Sequence, residues 1–349
     1  MIAASRFTGP RVHGSLAPPM TEPSKDWKEV APADEDARFE RYAGQLAQLQ
    51  AQSAGGGAPG RALHHKGHGG LEASFEVLGD LPEHARHGLF AKAGRYDALV
   101  RFSNGASRVQ KDDAGDVRGI AVKVLGVDGA KVLGTARTQD FLAILSSATP
   151  FRTADEFVAM VWAARSPALA LPRILGALGF RGLGLLRQLL AGIGQPVATL
   201  SNRRFFSALP IQCGPFAARF ALTPVSAPDA AATSGPDRLA ADLAARLRAG
   251  PIEYAFELQF FVDESRTPIE DASVDWPEAV APYVRVGRLV LAKQDAASER
   301  GRGLAARVEK LSFDPWHALV EHKPLGGMMR ARKHAYFAST KGRSAEGDV

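Results

Sequence analysis

The sequence has almost no cysteine: among 349 residues, Cys213 is the only one. A single thiol cannot form a disulfide within the chain, and it cannot build a metal cluster held by thiolates. Any metal or redox chemistry of this protein must therefore use other side chains.

Long uninterrupted apolar runs are also missing. The most apolar stretch, 157–195, is broken by four arginines and two prolines, so it does not reach the length of a membrane span. It predicts two or more short amphipathic helices packed on the core, with contact to a lipid or membrane surface through an arginine-flanked apolar face as the alternative. Residues 1–15 have no apolar segment of the secretory type, so we expect a cytoplasmic location.

The positive charge is not organised for nucleic acid. The formal net charge is +6, but the arginines are spread along the chain and form no basic runs interleaved with aromatic residues. We therefore expect no nucleic-acid partner. Buried arginines that bind carboxylates or phosphates remain an option, because a guanidinium pairs well with both groups.

The pattern predicts two parts. Residues 1–58 form an N-terminal arm, with a polar helix at 33–52 that lies over a neighbouring surface or a partner subunit and a flexible joint, SAGGGAPG, at its end. From residue 59 to residue 349, many short runs of period two separated by turns favour an α+β domain built on a closed antiparallel β-barrel. Helices are expected as a flanking layer and as an insertion at about 152–200.

Three histidines fall within the segment RALHHKGHGG at 61–70, namely His64, His65 and His68. The spacing of His64 and His68 would suit two zinc ligands on one helical face. However, glycines crowd this stretch and no glutamate stands at the second position of an HExxH pattern, so a zinc site is disfavoured. Taken alone, the segment is typical of an exposed polar loop.

Five blocks together resemble the heme catalases. They occur in the order of that family: RALHHKGHGGLEASFEV at 61–77, LVRFSNG at 99–105, DVRGIAVKVLG at 116–126, IEDASVDWPEAVAPYVRVGRLVL at 269–291 and LSFDPWHALVEHKPLGGMMRARKHAY at 311–336. The resemblance covers about residues 60–343. It implies a catalase-like antiparallel barrel that encloses a pocket for heme b.

On the distal side of that heme, the resemblance assigns His64 as the acid–base group. It would take a proton from the bound peroxide and deliver it to the leaving oxygen. Ser103 matches the residue that hydrogen-bonds the other ring nitrogen of this histidine. The family's distal asparagine is replaced, with Thr135 at its position or Gln139 in a shifted register. Phe151 matches the phenylalanine that lies over the heme.

The two other histidines of the segment receive no catalytic role from the resemblance. His65 is expected to face elsewhere, since successive side chains of an extended chain point to opposite sides. His68 replaces a small residue of the family pattern, and it is expected near the rim of the pocket.

On the proximal side, Tyr336 matches the axial iron ligand, because a tyrosine holds the heme iron in catalases. Arg332 lies one helical turn earlier, where a guanidinium favours an ionised phenol. Arg61, Arg101 and Arg343 match the arginines that pair with the heme propionates.

The resemblance is strongest to the small catalase-related peroxidases. The sequence ends 13 residues after Tyr336, so we expect no C-terminal helical domain and no NADPH site. It implies an enzyme that cleaves hydrogen peroxide or organic hydroperoxides through a ferryl intermediate and oxidises an organic donor. Leu63 argues against the first alternative, a fatty-acid hydroperoxide isomerase or dehydratase of the allene oxide synthase type, which has threonine at that position. The second alternative is a non-catalytic heme-binding protein. An oligomer is left open.

Overall fold

The computed structural model describes residues 22–53, 60–193, 197–229 and 233–342. The predicted joint at the end of the arm and Arg343 therefore lie outside the described residues, apart from Ser53 and Gly60. The strands found in these ranges are β1 Gly67–Val77, β2 Gly94–Asn104, β3 Arg118–Leu125, β4 Thr138–Ile144, β5 Phe205–Phe206, β6 Ile211–Cys213, β7 Phe216–Ser226, β8 Ile252–Phe260 and β9 Tyr283–Leu291.

The sheet closes on itself. Strands β1 to β5 pair in chain order, β1 also pairs with β9, and β9 pairs with β8, which pairs with β7. Strand β5 then pairs with β7 and completes a ring of eight antiparallel strands, with β6 as an extra hairpin strand on β7. The predicted closed antiparallel barrel is confirmed.

The barrel interior is filled by aromatic rings. Phe75 lies edge-on against Phe256 with ring centroids 5.0 Å apart, and Phe141 lies 4.7 Å from the same ring. Because side chains alternate along a strand, these inward positions leave every second residue on the outer face. That outer face of β2, β3 and β4 carries the polar side chains of the site, and the register places Ser103 directly opposite Gly119.

Seven helices surround the barrel in the described residues. Their bounds are α1 Glu35–Ser53, α2 Ala154–Ala164, α3 Pro167–Leu178, α4 Arg181–Ile193, α5 Arg238–Ala249, α6 Glu299–Lys310 and α7 Gly327–Gly342. Helices α2, α3 and α4 fall inside the predicted insertion at about 152–200. None of the helices in the described ranges is long and apolar enough to cross a membrane.

The predicted helix of the arm packs on its own chain. Its apolar side buries Phe39, Ala43 and Leu46, and the ring of Phe39 meets His334 of α7 edge-on at 6.1 Å. The sequence did not specify which surface this polar helix covers. The structure shows that it packs on α7 of the same chain.

Helix α6 covers the outer face of the barrel. Its Val308 belongs to an apolar cluster with Leu99 of β2. This contact brings the C-terminal end of α6 beside the strand that carries Arg101 and Ser103.

Candidate functional site

The segment that carries His64 runs beside the end of β2 in a constrained conformation. The φ of His64 is +55°, in the left-handed region that a residue with a Cβ rarely adopts. Two bonds hold its backbone: the amide donates to the Gly105 carbonyl at 2.9 Å, and the carbonyl accepts from the Arg101 guanidinium at 3.0 Å. Residues kept in such conformations by their surroundings cluster at functional sites.

The imidazole of His64 is fixed by a serine of the barrel. Its Nδ1 lies 2.9 Å from the Ser103 hydroxyl, and Ser103 is buried on the outer face of β2. No protein atom among the described residues hydrogen-bonds Nε2 of this ring. If Nδ1 donates to Ser103, the lone pair lies on Nε2 and can act as a base.

A glycine makes room for this ring. At Gly119 of β3 a Cβ would lie 2.8 Å from Cε1 of His64 and 3.1 Å from its Nδ1, which is closer than side-chain packing allows. Gly119 of β3 is paired with Ser103 of β2. The ring of His64 thus packs against the bare backbone of one strand and hydrogen-bonds to the serine of the next. The block DVRGIAVKVLG contains this glycine, but nothing in the sequence pattern indicated its role.

The electrostatics of the site favour a neutral His64. Burial of the imidazole is the largest cause that lowers its pKa to about 3, and three guanidinium groups add to the effect. They belong to Arg101, Arg332 and Arg61. The ring is therefore a free base at neutral pH, and it faces a strongly positive environment that suits an anionic ligand.

Two of these arginines share one carboxylate. Arg101 donates to both oxygens of Glu309 at 2.8 and 3.1 Å, and Arg61 donates to the same side chain at 3.2 Å. Burial by itself would raise the pKa of Glu309, but the adjacent Arg101 and Arg61 hold it below the usual value. Arg61 also donates to the carbonyl of Leu311 at 2.9 Å. The sequence pattern gave no signal for Glu309.

On α7, Arg332 and Tyr336 meet as their spacing predicts. The Arg332 guanidinium donates to the Tyr336 hydroxyl oxygen at 2.8 Å, because residues four apart lie on the same face of a helix. The positive charge of Arg332 is also among the causes that lower the pKa of His64, although the two residues are far apart in the sequence.

No family model matches the chain. A search of curated proteins, however, finds the catalase-related peroxidase of Mycolicibacterium paratuberculosis. The two sequences are 31% identical over 309 residues, and the alignment covers 83% of this chain and 91% of that protein. The chain belongs to the family of catalase-related peroxidases. The family that the sequence blocks indicated is thus confirmed.

Solved structures support the fold of this catalase-related peroxidase family member. A fungal catalase superimposes with a TM-score of 0.66 at 19% identity, over 94% of this chain and 66% of that one. A bacterial catalase and catalase A from Saccharomyces cerevisiae each give a TM-score of 0.64, at 15% and 17% identity, covering 99% and 95% of this chain. Each match spans about two thirds of the catalase chain.

Two expected members of the distal side of this family's pocket, Thr135 and Gln139, lie at or just before the start of β4. Thr135 is exposed in the loop before β4, and Thr138 of β4 pairs with Leu125, at the opposite end of β3 from Gly119. Six residues of strand separate these ends by about 20 Å.

The alternative, Gln139, is engaged elsewhere. It is buried, and its side chain accepts a hydrogen bond from the Leu319 amide at 2.9 Å. Gln139 is therefore not available as a replacement for the distal asparagine, and the role of Thr135 stays a prediction.

The other two histidines of the glycine-rich segment have separate surroundings. His65 faces Ser107, as expected for a ring turned away from the site. His68 is not at a rim: it is buried and hydrogen-bonded to Asn104 at 2.5 Å, in a polar cluster with Asp112. This cluster fastens the start of β1 to the loop that follows β2.

Phe151 lies just before α2. Its ring is buried edge-on against Phe157, with centroids 5.4 Å apart. Its position over a heme stays a prediction.

The residues present fit a heme group. A phenol oxygen backed by an arginine is a suitable donor for ferric iron, and a neutral imidazole is held by a serine within range of the same arginine. The guanidinium groups of Arg61 and Arg101, which pair with Glu309 in this structure, are cations of the kind that propionates require. The chemistry of this donor set therefore agrees with the prosthetic group that the resemblance implies.

Proposed function

We propose that this chain is a heme-dependent peroxidase that cleaves hydrogen peroxide or organic hydroperoxides and oxidises an organic donor. The observation that carries the proposal is the neutral, constrained His64, fixed by Ser103, together with the Arg332–Tyr336 contact on α7. A distal base and a tyrosine ligand are the two protein groups that a catalase-type heme site uses in peroxide cleavage.

In this proposal, Tyr336 would hold the iron of heme b, and Arg332 would stabilise the ionised tyrosine. Arg61 and Arg101 would bind the propionates, together with Arg343, which lies outside the described residues. The bound heme would supply the electrons and the metal centre for breaking the peroxide O–O bond.

The protein's own part is proton transfer. The neutral Nε2 of His64 would accept the proton of the peroxide oxygen nearest the iron and return it to the departing oxygen, so that water or an alcohol leaves. Ser103 acts as a positioning residue, because its bond to Nδ1 fixes the tautomer and the direction of Nε2. Gly119 leaves the space in which the ring adopts this position.

The test is a stopped-flow comparison of three oxidants, hydrogen peroxide, cumene hydroperoxide and a fatty-acid hydroperoxide, each with and without a phenolic donor. Donor oxidation that scales with peroxide consumption is the expected result. Oxygen release without donor consumption would instead identify a catalase. A rearranged lipid product without donor consumption would identify the isomerase, and absence of turnover in the hemin-loaded protein would identify a heme carrier.

Two histidine variants distinguish the proposed base from the adjacent histidine. We expect His64→Gln to take up hemin and to react with peroxide at least about 100-fold more slowly, since a general base contributes that much. His65→Gln is the matched control, because this histidine faces Ser107. Equal rates for wild type and His64→Gln would rule out His64 as the base.

A further inference from the structure

The helical insertion carries most of the exposed large apolar side chains among the described residues. Six of the eleven large hydrophobic side chains that are exposed lie on α3, α4 and the turn between them, and Phe180 at the turn is 89% exposed. We call this set the apolar ridge; it consists of Leu169, Leu171, Leu175, Phe180, Leu183 and Leu190. Apolar side chains gathered in this way mark an interaction surface.

The ridge is separate from the core face of the same helices. Ile174 of α3 and Leu185 of α4 are buried, so each helix already has an inward apolar side. At Gly182, a Cβ would overlap the side chain of Ile174, which shows how closely the two helices approach. The outward leucines are therefore not needed for packing within the chain, and burying them in a partner would remove apolar area from water.

The charges on this surface all have one sign. Residues 165–193 contain four arginines and neither aspartate nor glutamate. Arg181 pairs with Glu156 of α2 at 2.5 Å, and Arg165 stacks on Trp162 at 3.8 Å from the ring centroid. Among the described residues, no carboxylate pairs with the exposed Arg187, whereas one guanidinium nitrogen of Arg173 is buried. The surface thus combines apolar side chains with exposed positive charge.

We propose that helices α3 and α4 form a docking surface for an anionic lipid bilayer. The helices are too short to cross it, so they would lie in the interface, with Phe180 and the leucines inserted and the arginines at the headgroups. Charge complementarity selects this partner. In a symmetric pair of copies, the same arginines would face one another, whereas anionic headgroups attract them.

The experiment is flotation of the hemin-loaded, full-length protein with vesicles of phosphatidylcholine alone and with vesicles that also contain phosphatidylglycerol. We expect binding to the anionic vesicles, weaker binding to the neutral ones, and release as salt is raised. Phe180→Ser should weaken the binding about ten-fold, because the inserted ring is lost. Arg187→Gln should weaken it about five-fold, because this exposed arginine would lie at the headgroups.

Matched variants outside the ridge act as controls. Val109, on a loop, is 65% exposed, and Arg95 is an exposed arginine of β2, so Val109→Ser and Arg95→Gln should bind as the wild type does. Circular dichroism and thermal unfolding confirm that each variant is folded.

Three results would overturn the proposal. The first is failure of the wild type to float with anionic vesicles at low salt. The second is an equal loss of binding in the control variants. The third is a wild-type dimer in light scattering that Phe180→Ser dissociates, without vesicle binding by either protein, which would make the ridge an interface between two copies.

Discussion

The ring of His64 lies against Gly119, at a point where any side chain would displace it. A Cβ there would approach Cε1 of the ring to 2.8 Å and the carbonyl oxygen of Ala143 to 3.3 Å. Because backbone lies on its other side, the Cβ could be accommodated only if the ring moved. The glycine is held opposite Ser103 by the strand register. The direction of the proposed base is thus set by a residue that makes no polar contact with it.

Gly119→Ala should therefore act as a mutation of the base itself. We expect it to push the ring from Ser103 and to slow the reaction with peroxide about 100-fold, while hemin uptake persists. Stopped-flow rates under pseudo-first-order peroxide measure this. Gly303→Ala in α6 is the control, since a Cβ there meets nothing within 4 Å. A Gly119→Ala protein with the wild-type rate would show that the ring position is not critical.

The lowered pKa of His64 has a defined consequence for pH dependence. Because its pKa is about 3, the neutral base persists throughout the range in which an ordinary imidazole becomes protonated. The rate of the peroxide reaction should consequently stay flat from about pH 8 to about pH 5, whereas a base with a pKa of about 6.5 would lose most of its activity.

Arg61→Gln gives an internal check on this profile. It removes one of the positive charges that lower the pKa of His64, so any acid limb should move toward neutral pH. An acid limb near pH 6.5 in the wild type, or a shift to lower pH in the variant, would contradict the assignment.

Tyr336→Phe removes the oxygen that Arg332 contacts at 2.8 Å. We expect at least about a 100-fold loss of hemin affinity and a changed absorption spectrum, because an iron ligand is deleted. Hemin titration followed by absorbance measures both. Phe337→Leu, at an exposed position on the same helix, should bind hemin normally. Unchanged affinity and spectrum in Tyr336→Phe would exclude the tyrosine as ligand.

A buried ion pair on the outer face of the barrel is expected to matter for stability. Lys123 of β3 donates to both oxygens of Asp140 of β4 at 2.9 Å, and the Asp314 amide donates to the same carboxylate at 2.9 Å. Asp140→Asn should lower the free energy of unfolding by about 3–5 kcal/mol, since it removes one charge of a buried, hydrogen-bonded ion pair.

Urea unfolding measures this effect, with Asp128→Asn as the control. Asp128 pairs with Arg137 on the surface, where both side chains are exposed, so its loss should leave the unfolding midpoint unchanged. Equal effects of the two substitutions would mean that Asp140 is solvated or that its pairing does not stabilise the fold.

The family and the fold class could be predicted because their signals are local. Period-two strands separated by turns indicated the closed barrel, and the spacing of Arg332 and Tyr336 predicted their contact one turn apart. The alternative Gln139 shows the limit of such local signals. Its placement rested on counting residues to a phenylalanine, whereas its side chain accepts a hydrogen bond from the Leu319 amide.

The roles of Glu309 and Gly119 could not be predicted from the sequence. Glu309 lies more than 200 residues from the arginines that it binds, and nothing in the spacing along the chain predicts that contact. Gly119 stands in a recognisable block, but only the strand pairing shows that its missing side chain is the space for an imidazole.

The sequence by itself determined which residue types were available: a histidine in a glycine-rich loop, a serine on a strand and an arginine one turn before a tyrosine. The tertiary structure alone determined how these residues are arranged and which protonation state the histidine has. Packing of the barrel, α7 and the segment before β1 set three arginine charges against a half-buried imidazole, and that desolvation and charge, absent from any local segment, are the physical reasons its pKa is lowered to about 3.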